Sequence, residues 1–371
     1  MHAPNPIDVA AQASGEPTFR EIGVGPWAQT HPGEPRPDDA ASPNYDARFD
    51  SALLDEGDRR NVLDRYRYWT VAAIKADLDS RGRHDFEVAV ENWTHDFNIG
   101  SMVRTANAFQ ARRVHIVGPH KWNRKGALMT ELYQHVENHP SITELVECWK
   151  LRIAGEIAAA QSQAAAIAMH MRASRFPERH PDLARATAMR MRSSVAASDG
   201  MQDRGLSATG TPLDTATQQF DSAHRPCAAD TSAIGANASE TLDITTSVSP
   251  SSSAPAGSSS SDAPVTLDTP NIADSMARLE ELDAKIAELK AARVIALDII
   301  PGAVPMETYR FPKRCLMLFG AEGPGLSEKA LELADDVVYI SQFGSVRSIN
   351  AGAAAAVSMH AWIAQHAAPH A

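Results

Sequence analysis

The feature that most constrains what this chain can fold into is an alternation that stops and later resumes. FEVAV (Phe86 to Val90) reads as a strand, NIGSMVRTANAF (Asn98 to Phe109) as a helix, and RVHIVG (Arg113 to Gly118) as a strand. Short apolar runs separated by helical stretches imply parallel strands with crossover helices. The pattern returns in VIALDII (Val294 to Ile300), CLMLF (Cys315 to Phe319) and VVYI (Val337 to Ile340), and RSINAGAAAAVSMHAWIAQHA (Arg347 to Ala367) closes it as a small-residue helix. The expected fold is one α/β domain with a parallel sheet, split in sequence by a long insertion.

The insertion is placed at residues 177–270; residues 193–270 are dominated by Ser, Thr, Ala, Gly and Pro, most densely in SVSPSSSAPAGSSSSDAP. Such a composition buries too little apolar area to offset chain entropy, so a flexible, disordered segment is expected. Two arms flank it, Ile153 to Phe176 and Ser275 to Arg293, predicted to pair as antiparallel helices that extend a surface helix of the core. Residues 1–58, rich in Pro, Gly, Asp and Ala without periodicity, read as a disordered tail. Residues 59–83 read as a helical segment, with apolar spacing that predicts an amphipathic helix over 59–80. The domain proper then occupies 84–176 and 271–371.

Charge distribution decides which partners are admissible. The chain carries a formal net charge of -11, but residues 1–58 hold eleven acidic and three basic side chains, and residues 205–270 hold seven and one. The acidity therefore sits outside the expected domain, which is mildly basic, and a polyanionic partner is allowed. No long apolar run indicates a membrane span, and the N-terminus shows no secretory pattern. Cys148, Cys227 and Cys315 stand apart from one another, which fits a reducing cytoplasm.

Three stretches carry candidate chemistry. GAEGPGLS (Gly320 to Ser327) comes within one residue of the phosphate-binding pattern G-x-x-x-x-G-K-[ST], with Leu326 where that pattern has lysine. A glycine turn without a cation suits a ligand held by main-chain hydrogen bonds and apolar contact, such as a neutral adenosine moiety; a tight structural turn is the alternative. Ser327 is placed to cap a helix beginning near Glu328. ISQFGSVRSIN (Ile340 to Asn350) sets Gln342, Ser345, Ser348 and Asn350 before a helix N-terminus, with Ser348 also a candidate cap. ENWTHDFNIGSMVRTANAF (Glu91 to Phe109) places Asn98 and Arg104 six residues apart on a mostly apolar helix, where an arginine could equally serve as an ion-pair partner.

Taken in order, N-x-x-x-x-x-R after a first strand, strand-G-x-E-G-x-G-L-S, and strand-x-x-x-G-S-V-x-S-x-N before an Ala-rich helix resemble the three motifs of the SpoU/TrmH family of RNA 2′-O-ribose methyltransferases, within the SPOUT superfamily. The resemblance covers about residues 84–150 and 291–367. It implies a C-terminal trefoil knot, an exception to the usual unknotted topology. It also implies an S-adenosylmethionine pocket lined by Gly320, Ile340 and Ile349, and a homodimer in which the last helix takes part. By the same resemblance Arg104 acts on the ribose hydroxyl, with Asn98, Glu322, Ser348 and Asn350 organising the site. Ser341 stands where proline is frequent in that family, and Ile349 where leucine is.

RNA contact is expected on the loop HKWNRKG, where Lys121, Arg124 and Lys125 could meet phosphates of tRNA or rRNA and Trp122 could stack on a base. A solvated basic loop with a packing tryptophan is the other reading. Residues 172–192, with six arginines against two acids, are a second candidate arm. No metal is expected, because His84, His95, His115 and His120 show no metal-site spacing. The competing functional reading is a non-catalytic RNA-binding protein that keeps the knotted fold.

Overall fold

A computed structural model describes residues 5–15, 22–93, 98–175, 272–321, 323–346 and 348–367. The expected flexible insertion, the second arginine-rich arm beyond residue 175, and Glu322 lie outside the described residues. The chain divides into two compact units, one of residues 1–147 and 291–371 and one of residues 148–290.

The first unit is built on a seven-stranded sheet in the order β3-β2-β1-β6-β4-β7-β5, with every pairing parallel. The strands are β1 (His84–Glu91), β2 (Ala111–Val117), β3 (Val136–His139), β4 (Arg293–Leu297), β5 (Val304–Pro305), β6 (Cys315–Phe319) and β7 (Asp336–Tyr339). The runs expected as strands are all present. The short strands β3 and β5 were not anticipated, because VENH and VP carry too little apolar signal to register.

Alternation along β1 sends Phe86, Val88 and Val90 to one face, where they join Val114, Ile116, Ile295, Met317 and Val338 in the main core. Two helices cover that face: α5 (Ile99–Ala108) through Ile99, Met102, Val103 and Ala106, and α9 (Ala351–His366) through Ala355, Met359 and Trp362. The closing helix starts at Ala351, later than expected, and its cap is Asn350, whose side chain accepts from the Ala353 amide; Ser348 lies outside it.

The part of the first unit before β1 corrects the expectation of a disordered tail for residues 22–58. It contains α1 (Pro6–Ser14), α2 (Trp27–Thr30) and α3 (Ser51–Glu56), and Val24 bridges Asp58. The helix expected over 59–80 shortens to α4 (Val71–Ser80), capped by Thr70. Local helical spacing lost to Asp58, a fully buried carboxylate that accepts from the Arg60 guanidinium and from the amides of Arg60 and Tyr68, holding Tyr68 at φ 62.

Burial opposes charge on Asp58, but the hydrogen bonds from Arg60 and Tyr68 outweigh it and hold the carboxyl below its usual range. A depressed folded pKa gives stability that is complete above the unfolded value of about 3.9 and is lost as pH falls through the folded value. Asp58→Asn should therefore cost about 3–5 kcal/mol at pH 7, as breaking a buried pair does. The deficit should shrink toward pH 3. Urea unfolding at both pH values checks this, and an equal deficit at both would rule it out.

The division between units falls within α6 (Ile142–Arg175), which continues into the second unit; α7 (Ile272–Lys290) is the other helix there. Ile157, Ala160, Ala164 and Ile167 of α6 pack on Leu282 and Ile286 of α7. The two arms are thus a helical pair closed by its own apolar seam.

Candidate functional site

In open parallel sheets ligands gather beyond the carboxyl ends of the strands. Here the segments after β1, β6 and β7 all leave from that end, and they are the three stretches singled out by sequence.

The glycine loop after β6 is closed on itself. The Gly325 amide donates to the Ala321 carbonyl at 3.0 Å, and Gly323 and Gly325 take positive φ. A Cβ on Gly320 would lie 2.0 Å from the Gly325 carbonyl carbon, so that position has no room for any side chain. Leu326 is 8% exposed and faces the interior, which is why a lysine has no place there. Ser327 caps α8 (Glu328–Leu333) by accepting from the Ala330 amide, as expected.

The loop is also anchored from β1, through a residue the sequence reading passed over. Glu91, 1% exposed, accepts from the Ser327 amide at 2.7 Å, the Ser327 hydroxyl at 2.8 Å and the Trp93 indole at 3.0 Å. A buried carboxylate with three donors fixes the loop against the first strand. The available signal was a charged residue directly after the apolar run Val88–Val90.

Asn98 and Asn350 meet. Asn350 Nδ2 donates to Asn98 Oδ1 at 2.9 Å, while its own Oδ1 caps α9. Asn98 occupies the cap position of α5 but makes no side-chain bond to that helix. One asparagine pair therefore ties the first and third stretches together at the starts of two helices.

Arg104 is exposed on α5 and forms no hydrogen bond or ion pair among the described residues. Ser348 is exposed, and Ile340 and Ile349 are half-buried, Ile340 against the main core. Ser341 donates through its amide and its hydroxyl to Glu307, at 3.3 and 2.9 Å. A proline in its place could donate neither bond.

The basic loop after β2 is seated on the first turn of α5. A Cβ on Gly100 would meet the Ala127 amide, the Asn123 carbonyl and Gly126 Cα at 2.8–2.9 Å. Lys121, Arg124 and Lys125 are exposed. Trp122 is half-buried against the main core, with the Arg124 guanidinium 5.9 Å from its ring centre. Phe343, in the third stretch, is 98% exposed.

The site fits a neutral nucleoside-like group on one independent observation. Gln342 Oε1 is buried and has no hydrogen-bond partner among the described residues, so an acceptor is left for a donor from outside. With half-buried Ile340 and Ile349 beside it in the same loop, the lining is apolar with a few directed polar groups.

The sequence model of the SpoU rRNA Methylase family matches residues 251–360, which include the second and third stretches. A tRNA (guanosine(18)-2′-O)-methyltransferase of Saccharomyces cerevisiae is 33% identical over 91 residues, 24% of this chain and 6% of that protein. Among solved structures, the SpoU methyltransferase AviRb from Streptomyces viridochromogenes with AdoMet aligns at 15% identity and TM-score 0.34, covering 76% of this chain and 58% of that one. The A. aeolicus TrmH/SpoU tRNA modifying enzyme aligns at 11% identity and TM-score 0.35, covering 80% and 81%. The chain thus spans a small fraction of the yeast protein and little more than half of the Streptomyces chain.

Proposed function

We propose that this chain, which belongs to the SpoU/TrmH family, transfers a methyl group from S-adenosylmethionine to a ribose 2′-hydroxyl of tRNA or rRNA. The observation that carries the reading is the Asn98–Asn350 hydrogen bond, which joins the first and third motifs. Gly320, Ile340, Ile349 and the Gln342 carbonyl oxygen would hold the methyl donor. When bound, S-adenosylmethionine supplies an electrophilic methyl group. Asn98, Ser348, Asn350 and Glu322 organise the site, and Arg104 holds an RNA phosphate and stabilises charge developing on the ribose oxygen. A guanidinium stays protonated, so Arg104 is not the proton acceptor.

Other parts of the reading have their own support. RNA meets Lys121, Arg124 and Lys125, with half-buried Trp122 and the exposed Phe343 as the rings on which a base would stack. Homodimerisation through α9 is supported by its exposed stripe of Ala353, Val357 and Ala364, which leaves little side-chain bulk between approaching helices. A trefoil knot accords with β4 lying between β6 and β7 in the sheet. Buried free thiols at Cys148 and Cys315 accord with a reducing, cytoplasmic setting. Among the described residues, no helix is long and apolar enough to cross a membrane.

Calorimetry tests donor choice: S-adenosylmethionine should bind and ATP should not, and the reverse would sink the assignment. Replacing Lys121, Arg124 and Lys125 together by alanine should weaken RNA binding. It should also lower the slope of log affinity against log salt by about 2, at roughly 0.7 per single-strand phosphate contact. An unchanged slope would move RNA off this loop.

A further inference from the structure

The face of the sheet opposite α5 and α9 carries polar groups that methyl transfer does not use. Glu87 on β1, Arg113 and His115 on β2, and Glu137 and His139 on β3 are brought together there by strand register, which pairs His115 with Glu137 and Val117 with His139. Glu87 and His115 are fully buried, and His139 is 8% exposed.

We infer that His115, Glu137 and His139 form a binding site for a zinc-class divalent cation that clamps edge strand β3 to β2. His115 Nδ1 lies 3.1 Å from His139 Nε2 and 3.4 Å from Glu137 Oε2, and His139 Nε2 lies 3.6 Å from Glu137 Oε2. A tetrahedral ion with bonds of about 2.0–2.1 Å sets its donors about 3.3 Å apart, so the three atoms already stand at ligand spacing. Two imidazoles and one carboxylate are a donor set suited to zinc, whereas magnesium and calcium favour oxygen.

The groups behind the ligands match such a site as well. His115 Nε2 is 2.8 Å from Glu87 Oε2, which fixes the ring with Nδ1 toward the other two ligands. Glu87 in turn lies 3.1 Å from the Arg314 guanidinium, and Arg113 Nε is 2.7 Å from Glu137 Oε1, leaving Oε2 directed at the histidines. Carboxylates that orient ligand histidines in this way are usual around bound metals. Glu137 is a third exposed and sits on the edge strand, so a fourth position is open to water. Spacing rules for contiguous motifs could not find this set, because two ligands come from one strand and the third from its neighbour. The competing arrangement is a proton shared between the two histidines.

The test is zinc binding to the full chain after chelator stripping, read by competition with a chromophoric chelator, with magnesium as the comparison ion. One zinc per chain should bind, magnesium should not displace it, and zinc should raise the melting temperature. Arg113→Ala should weaken zinc binding by about 10–100-fold, the usual cost of losing an orienting partner. His139→Ala and Glu137→Gln should weaken it further. No stoichiometric zinc on the wild-type chain would leave the proton-sharing pair and overturn the inference. Zinc bound equally by wild type, His139→Ala and Glu137→Gln would overturn it too, by placing the ion elsewhere.

Discussion

Arg104→Ala is expected to lower methyl transfer about a hundred- to a thousandfold while leaving S-adenosylmethionine affinity and melting temperature nearly unchanged. The size is that of losing one electrostatic contact aimed at developing charge. The selectivity follows from position. Arg104 is exposed on α5, so its removal opens no cavity, and it orphans no partner among the described residues. The donor pocket is assigned to the loops after β6 and β7. Arg104→Lys should recover little, because an ammonium cannot reproduce the planar fork that grips two phosphate oxygens. Single-turnover kinetics beside calorimetry separate the outcomes: near-normal turnover in the alanine variant would move the chemistry elsewhere, and lost donor affinity would make Arg104 part of the pocket.

Gly320→Ala is expected to do the opposite, abolishing donor binding and costing stability. Its new Cβ would fall 2.0 Å from Gly325 C and 2.2 Å from Leu326 N, both main-chain atoms that cannot rotate aside. The loop must shift as a whole, breaking the Ala321–Gly325 closure and straining the Ser327–Glu91 bonds. Overpacking of this kind costs typically about 1–3 kcal/mol. Donor titration and thermal melts check both effects; a variant that melts and binds like wild type would show that the loop has slack the geometry denies it.

How much of this was legible in the sequence depends on the range of the interaction concerned. FEVAV and CLMLF became β1 and β6 because period-two burial and buried apolar runs are local signals. Ser327 as a cap was legible for the same reason. The tail was misjudged at residues 22–58 because its order rests on Asp58, whose partners Arg60 and Tyr68 look like ordinary polar and aromatic residues until the chain folds back. The site was half legible: Asn98, Arg104, Ser348 and Asn350 stood in recognisable order, but not that Asn98 and Asn350, 252 residues apart, bond to each other. Glu91 and the His115–Glu137–His139 set were missed because only strand register and loop closure give those side chains their neighbours.

The measurement that tests the central claim most directly is nucleoside mass spectrometry of RNA treated with the purified full chain and S-adenosylmethionine, beside the same reaction with Arg104→Ala. The account predicts a 2′-O-methylnucleoside at a defined position in tRNA or rRNA, absent without the protein and nearly absent with the variant. Methylation on a base, or RNA that is bound but never methylated, would contradict it, the latter in favour of a non-catalytic RNA-binding role.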